Sequence, residues 1–290
     1  MRKSLSKAEI LLTLPSFGWL FTFFFVPTAI VFALGFKSTT SQGGIGEQWT
    51  LETMGKLFNI HYLVLIARTV YLSAVTTIIC IALALPVGYY LARAPVRLRN
   101  LLLMLIIVPF WSSFLIRIFA WKSLLHPEGF IKQWLAYFHI INDETTLLYN
   151  SGAVVLVMVY TYLPFGILPI YAAASKFNFH LLEAAMDLGA TRMQAFIKIF
   201  IPLLKQAILT AAILVFVPAI GAYVIPDLVG GTQSEMIGNK IAQKTLLDRN
   251  LPLASALSTL LGVTIALPAL AILYFQKKSK SYILEKKGIE

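Results

Sequence analysis

The feature that most constrains this chain is a succession of apolar runs, each long enough to cross a bilayer. A helix needs about 20 apolar residues to span roughly 30 Å of hydrocarbon. Runs of that length recur near residues 11–36, 69–91, 101–121, 151–174, 203–226 and 253–275. Backbone inside lipid must satisfy its own hydrogen bonds, and the alternating ten-residue pattern of a membrane barrel is absent, so each run is predicted helical. With 58% hydrophobic residues among 290 and a mean hydropathy of +0.79, too little polar surface remains for a water-soluble domain. The expectation is one all-α membrane domain over residues 1–290 with six transmembrane helices. The first run follows Arg2, Lys3 and Lys7 as a signal peptide would, but it is too long for one and no small-residue cleavage site follows promptly. It is read as a retained anchor.

Orientation follows from the basic residues, which resist translocation and collect in cytoplasmic segments. Arg2, Lys3 and Lys7, then Arg93, Arg97 and Arg99, then Lys176, Arg192, Lys198 and Lys205, and finally Lys277, Lys278, Lys280, Lys286 and Lys287 all fall on one side of the six spans. Even with Glu9, Glu183, Asp187, Glu285 and Glu290 on that side, nearly all of the net charge of +11 lies there. Both termini are therefore expected in the cytoplasm of a bacterial cell, with the chain multi-pass in its cytoplasmic membrane. The sequence pI near 9.7 needs no nucleic acid to explain it, because the charge is dispersed over four short segments beside spans.

Catalytic chemistry finds little material. The single Cys80 lies inside the second run and reads as a small buried hydrophobe, so neither an internal disulfide nor a thiol metal cluster is available. His61, His126, His139 and His180 fall outside or at the edges of runs, and neither H-E-x-x-H nor G-x-S-x-G occurs. There is no G-x-x-x-x-G-K-[ST] phosphate loop; Gly230-Gly231 is followed by Thr232-Gln233 without the required lysine. The chain is expected to be no enzyme and to bind no cofactor.

Residues 38–46 read as an exposed loop, and residues 130–138 as a short amphipathic segment on the outer side. The inward stretch 175–205 is different. Leu181, Leu182, Ala184, Ala185 and Leu188 recur at helical spacing, with Glu183 and Asp187 four apart. Gly189 can close that helix in a left-handed cap, and Thr191 can cap a second helix through residues 192–199. The spacing predicts a helix–Gly–helix hairpin.

Within it stand Glu183-Ala184-Ala185, three residues, Gly189, nine residues, Ile199, one residue, and Ile201-Pro202. This resembles the EAA loop of binding-protein-dependent ABC importer permeases, EAA-x3-G-x9-I-x-L-P, with Ile201 in place of the usual Leu. The resemblance implies the type I importer permease fold, with a core of five helices over about 60–275. It also implies that Glu183, Ala184, Ala185, Asp187, Gly189, Ile199 and Pro202 form an ATPase-coupling loop within about 176–205. The implied partners are cytoplasmic ABC ATPase subunits that use ATP and Mg, a second homologous permease and a periplasmic or extracellular substrate-binding protein, all assembled at the lipid bilayer. A membrane scaffold would explain the spans but not this spacing.

Residues 109–117, Tyr160–Pro164 with Pro169-Ile170-Tyr171, and 227–231 with Ile237-Gly238-Asn239 are similar to the spermidine/putrescine importer permeases. Related permeases for iron, thiosulfate, organic acids or amino acids keep the same fold as an alternative. A polyamine leaving water needs carboxylates and aromatic faces, the latter worth about 0.5 to 2 kcal/mol per cation. Asp227, beside Pro226 at the outer end of the fifth run, is either a gate or site residue or a helix-end cap or ion-pair partner. Tyr223, Tyr160, Tyr162, Trp111 and Phe110 either line the pathway or sit at the membrane interface because their rings are amphipathic. Arg117 either pairs with Asp227 or snorkels outward. Glu235 reads as a solvated loop charge or a contact to the binding protein or the substrate.

Overall fold

The structure is a computed structural model describing residues 7–40, 43–138, 141–142 and 145–266. Its helices are α1 (Lys7–Leu20), α2 (Val26–Leu34), α3 (Glu52–Gly55), α4 (Ile60–Arg93), α5 (Val96–Ile107), α6 (Phe114–Leu125) and α7 (Phe130–Tyr137). They continue with α8 (Ser151–Ala174), α9 (His180–Asp187), α10 (Arg192–Ala195), α11 (Ile201–Leu203), α12 (Lys205–Ile220), α13 (Val224–Val229), α14 (Ile237–Ala242) and α15 (Leu251–Ala266).

Three helical stretches are continuous, apolar and long enough to cross a membrane: Thr13–Leu34, Ile60–Arg93 and Ser151–Ala174. Two helix pairs pass the same length and composition test only when taken together across a sharp bend, Val96–Trp111 with Phe114–Tyr137 at 96° and Arg192–Leu203 with Lys205–Ile220 at 73°. The third apolar run is thus not the straight span expected over 101–121. Pro109 lacks a backbone donor, Val108–Trp111 tightens into a 3-10 turn, and the backbone leaves helical geometry at Ser112 and Ser113, where ψ is 152° and 135°. Ser112 then closes that turn, its hydroxyl donating to the Pro109 carbonyl at 2.7 Å. The fifth run is also interrupted, for α12 ends at Ile220 and a separate α13 follows after Gly221. The α15 helix covers the first part of the expected sixth span, whose remainder lies outside the described residues.

Prolines leave a second signature. Five-residue π-helical turns occupy Phe21–Phe25 and Phe196–Phe200, each ending two residues before a proline, Pro27 or Pro202. In each the amide of the intervening residue reaches back five residues, Val26 to Phe21 and Ile201 to Phe196. A proline ring clashes with the carbonyl four residues earlier, and widening the preceding turn relieves that clash.

The chain forms two compact units, the first from the described residues of Met1–Leu63 and Lys240–Glu290, the second from Val64–Asn239. In the first unit, part of the expected loop at 38–46 proves to be strand, so the fold is not wholly helical: β1 (Lys37–Thr39) pairs antiparallel with β2 (Ile45–Trp49). The Lys37 ammonium donates to the Glu47 carbonyl at 2.8 Å and lies 4.4 Å from the centre of the Trp49 ring, a cross-strand pairing that the turn-rich sequence concealed. The hairpin is tied to the start of α15, where Asn250 accepts from Thr39 and caps Leu253.

The second unit packs around α8. Towards one end lie Val154, Val157, Met158, Val215, Ile225 and Met236, and towards the other Ala84, Leu91, Ile170, Phe200 and Leu204. Cys80 is fully buried in the first of these groups, in keeping with its reading as a hydrophobe. Close approach of α4 to α8 depends on Gly88, where a Cβ would stand 2.7 Å from Ile170 Cγ2. Gly88→Leu is therefore expected to cost about 1–3 kcal/mol through overpacking. A lowered unfolding midpoint in detergent would show it, and an unchanged midpoint would refute the close packing.

Candidate coupling site

The hairpin forms as its residues dictate. At the end of α9 the Gly189 amide donates to the Met186 carbonyl at 2.9 Å and the Ala190 amide to the Ala185 carbonyl at 3.0 Å. Gly189 holds φ at +91°, a conformation nearly free only for glycine, so this is a Schellman cap. Thr191 opens α10 with a reciprocal capping box: its hydroxyl accepts from the Gln194 amide, and the Gln194 side chain accepts from the Thr191 amide.

The helix presents two faces. Leu182 is buried and Ala185 and Met186 half-buried against the bundle, while Leu181, Ala184 and Leu188 form an exposed stripe at i, i+3 and i+7. Leu188 is 90% exposed, and Met193 beyond the turn is also largely exposed. The five apolar residues that recur at helical spacing thus divide between the two faces, with Leu181 and Leu188 turned outward. Glu183 and Asp187 are exposed, and His180 Nδ1 lies 2.9 Å from Glu183 Oε2.

An aromatic knot at the base was not legible in the sequence. Phe200, fully buried, packs against Tyr89, Phe177, Phe179 and Phe196 with ring centroids 5.1 to 6.4 Å apart. Arg93 crosses over the Tyr89 and Phe179 rings and donates to the Tyr89 hydroxyl at 2.7 Å. The knot fastens the hairpin to the end of α4, and Ile199 and Pro202 of the EAA pattern flank its anchor Phe200.

The six aromatic and acidic pathway candidates do not form one cluster. Asp227 and Tyr223 stand four residues apart on α13 and its cap, and both are exposed. Among the described residues the Asp227 carboxylate makes no ion pair, and Arg117 lies instead over the Phe110 ring at 5.0 Å. Phe110 also meets Phe165 edge-on. Tyr160 packs edge-on against Trp121, and Trp111 is 84% exposed. Tyr162 is only 7% exposed, its hydroxyl donating to the Pro218 carbonyl at 3.3 Å, so it braces α8 against α12. Asn239 secures Tyr223 by donating to its carbonyl at 2.9 Å, while its own amide oxygen accepts from the Met236 amide.

Apolar spans combined with a capped hairpin that exposes an apolar stripe are the features of a membrane-embedded subunit. The chain belongs to the family of binding-protein-dependent transport system inner membrane components, which matches residues 84–279. It is the permease subunit of an ABC importer and a multi-pass membrane protein. It is 33% identical over 285 residues to the spermidine/putrescine transport system permease protein PotB of Salmonella typhimurium strain SL1344, covering 98% of both chains. Among solved structures it resembles a bacterial ABC transporter involved in the import of the acidic polysaccharide alginate, with TM-score 0.73 and 18% identity over 92% of this chain and 94% of that one. It also resembles a chain of the alginate transporter in complex with an alginate pentasaccharide-bound periplasmic protein, with TM-score 0.68 and 18% identity over 97% and 94%. At that identity the likeness is one of fold.

Proposed function

We propose that this chain forms half of a polyamine translocation pathway in a bacterial cytoplasmic membrane. In this reading it crosses the bilayer six times with both termini in the cytoplasm and pairs with a second homologous permease. The hairpin around Glu183–Gly189 enters a groove on a cytoplasmic ABC ATPase, and a substrate-binding protein docks outside. Closure of the ATPase pair draws the hairpins together and opens the pathway outward; ATP hydrolysis by the partner, with its Mg, resets it.

The observation that carries the polyamine reading is the near-full-length similarity to spermidine/putrescine permeases. Local chemistry agrees with it. A polycation entering the pathway meets Asp227, whose carboxylate makes no ion pair among the described residues, and the Tyr223 ring on the same face of α13. The Phe110 ring already holds the Arg117 guanidinium, which leaves that face closed to a substrate ammonium. One carboxylate serves one ammonium, so the remaining acids come from the partner permease.

Uptake of labelled spermidine tests this. Asp227→Asn is expected to lower uptake at least about tenfold, the loss of one charge-assisted contact. Unlabelled putrescine should compete, and an uncharged sugar should not. Absence of labelled spermidine uptake by the intact transporter would reject the polyamine pathway while leaving the importer assignment intact, and full uptake by Asp227→Asn would reject the role of Asp227.

A further inference from the structure

Between the last turns of α4 and the hairpin lies an open cleft of about 680 Å³ with a basic rim and an apolar floor. Arg93 and Arg192 stand at the rim with Tyr89 and Tyr90, over Leu182 and Phe196, and no carboxylate belongs to its lining. Asp187, the acid nearest to Arg192 in sequence, is exposed on α9 outside that lining, and Glu183 is engaged with His180. Arg192 makes no side-chain hydrogen bond or ion pair among the described residues, and Arg93 commits one donor to the Tyr89 hydroxyl, leaving others free. Two guanidiniums without a counter-anion suit a phosphate, which they grip bidentately.

A second observation selects the kind of phosphate. Pro86 and Tyr90 also line an adjoining groove of about 520 Å³, whose other walls are Val87, Leu91, Leu102, Leu105, Ile106 and Ile167. That groove is wholly apolar apart from Tyr90 and lies along α4 and α5, within the membrane-crossing stretches. A cationic cleft continuous with a hydrocarbon-lined channel matches a headgroup joined to an acyl chain. Tyr89 and Tyr90 mark the level at which amphipathic rings settle between headgroups and hydrocarbon.

We propose that this composite cleft and groove is a binding site for an anionic phospholipid, with the headgroup phosphate between Arg93 and Arg192 and one acyl chain along Leu102, Leu105 and Ile106. The lipid would bridge α4 to the hairpin beside the aromatic knot. The inference goes beyond transport and requires only that the chain reside in a bilayer, so its readout is lipid retention rather than uptake.

The test is native mass spectrometry of the full chain, purified from membranes with whatever subunits accompany it. Phosphatidylglycerol, phosphatidylcholine and soluble glycerol 1-phosphate are titrated in separate arms. The expected result is retention of phosphatidylglycerol at least about tenfold over phosphatidylcholine, lost in Arg93→Gln/Arg192→Gln and largely kept in Arg93→Lys/Arg192→Lys. Glycerol 1-phosphate should not displace it, because the acyl groove contributes. Equal retention of the two lipids, unchanged preference in the Gln variant, or displacement by glycerol 1-phosphate would overturn the proposal. Should the Gln variant fail to assemble, Leu105→Trp decides with both arginines in place: reduced retention supports the site, and undiminished retention refutes it.

Discussion

Glu183→Lys combined with Gly189→Pro is expected to abolish solute uptake while leaving the transporter in the membrane. Proline locks φ near −65°, whereas Gly189 holds +91°, and proline removes the amide that donates to Met186. The cap therefore loses about 3 kcal/mol or more, which displaces the native hairpin by more than about a hundredfold in population. Glu183→Lys also removes the acceptor facing His180 and inverts the charge on the exposed helix. Spermidine uptake in cells or proteoliposomes should fall to background, and ATP hydrolysis should no longer respond to loaded binding protein. Full uptake by the double variant would sink the coupling role of this hairpin.

The second large effect is expected at Phe200. Its ring is fully buried among four other aromatic rings, and truncating such a residue costs about 3–5 kcal/mol in transfer and cavity terms. That loss is local, because the knot joins α4 to the hairpin while the opposite core group around Val157 and Met158 remains intact. Phe200→Ala should raise hydrogen exchange across His180–Asp187 by orders of magnitude, with little change at the start of α8. Recovery of the ATPase on purification should drop in parallel. Uniform exchange along both segments would show that the knot carries no special role in holding the hairpin.

Much of this architecture was written in local chemistry. Long apolar runs gave the positions of most helices, and Gly189 with Thr191 gave the hairpin, because caps and left-handed turns depend on adjacent residues; the Gln194 half of the capping box came from the structure. The breaks were less legible. Pro109 sits inside a run whose average hydropathy stays high across Ser112 and Ser113, and such an average is blind to a 96° bend. Side-chain partners were the least legible, since they join distant positions: Phe200 finds Tyr89, and Arg117 takes Phe110 rather than Asp227. Tyr162 resembled its aromatic neighbours in sequence, yet its neighbours in space make it a strut. Leu181 and Leu188 share the helical spacing of Leu182 and Ala185, and only the orientation of α9 against the bundle reveals that they face outward.

The 73° bend at Leu204 carries a mechanical corollary. Because α10 and α11 meet α12 at so steep an angle, a thrust along the first pair is delivered mainly across the long axis of α12. Under the proposed coupling role the joint would work like a bell crank, converting an axial stroke of α10 and α11 into sideways tilt of α12. Straightening this elbow would leave every docking residue in place and still deprive the stroke of its leverage.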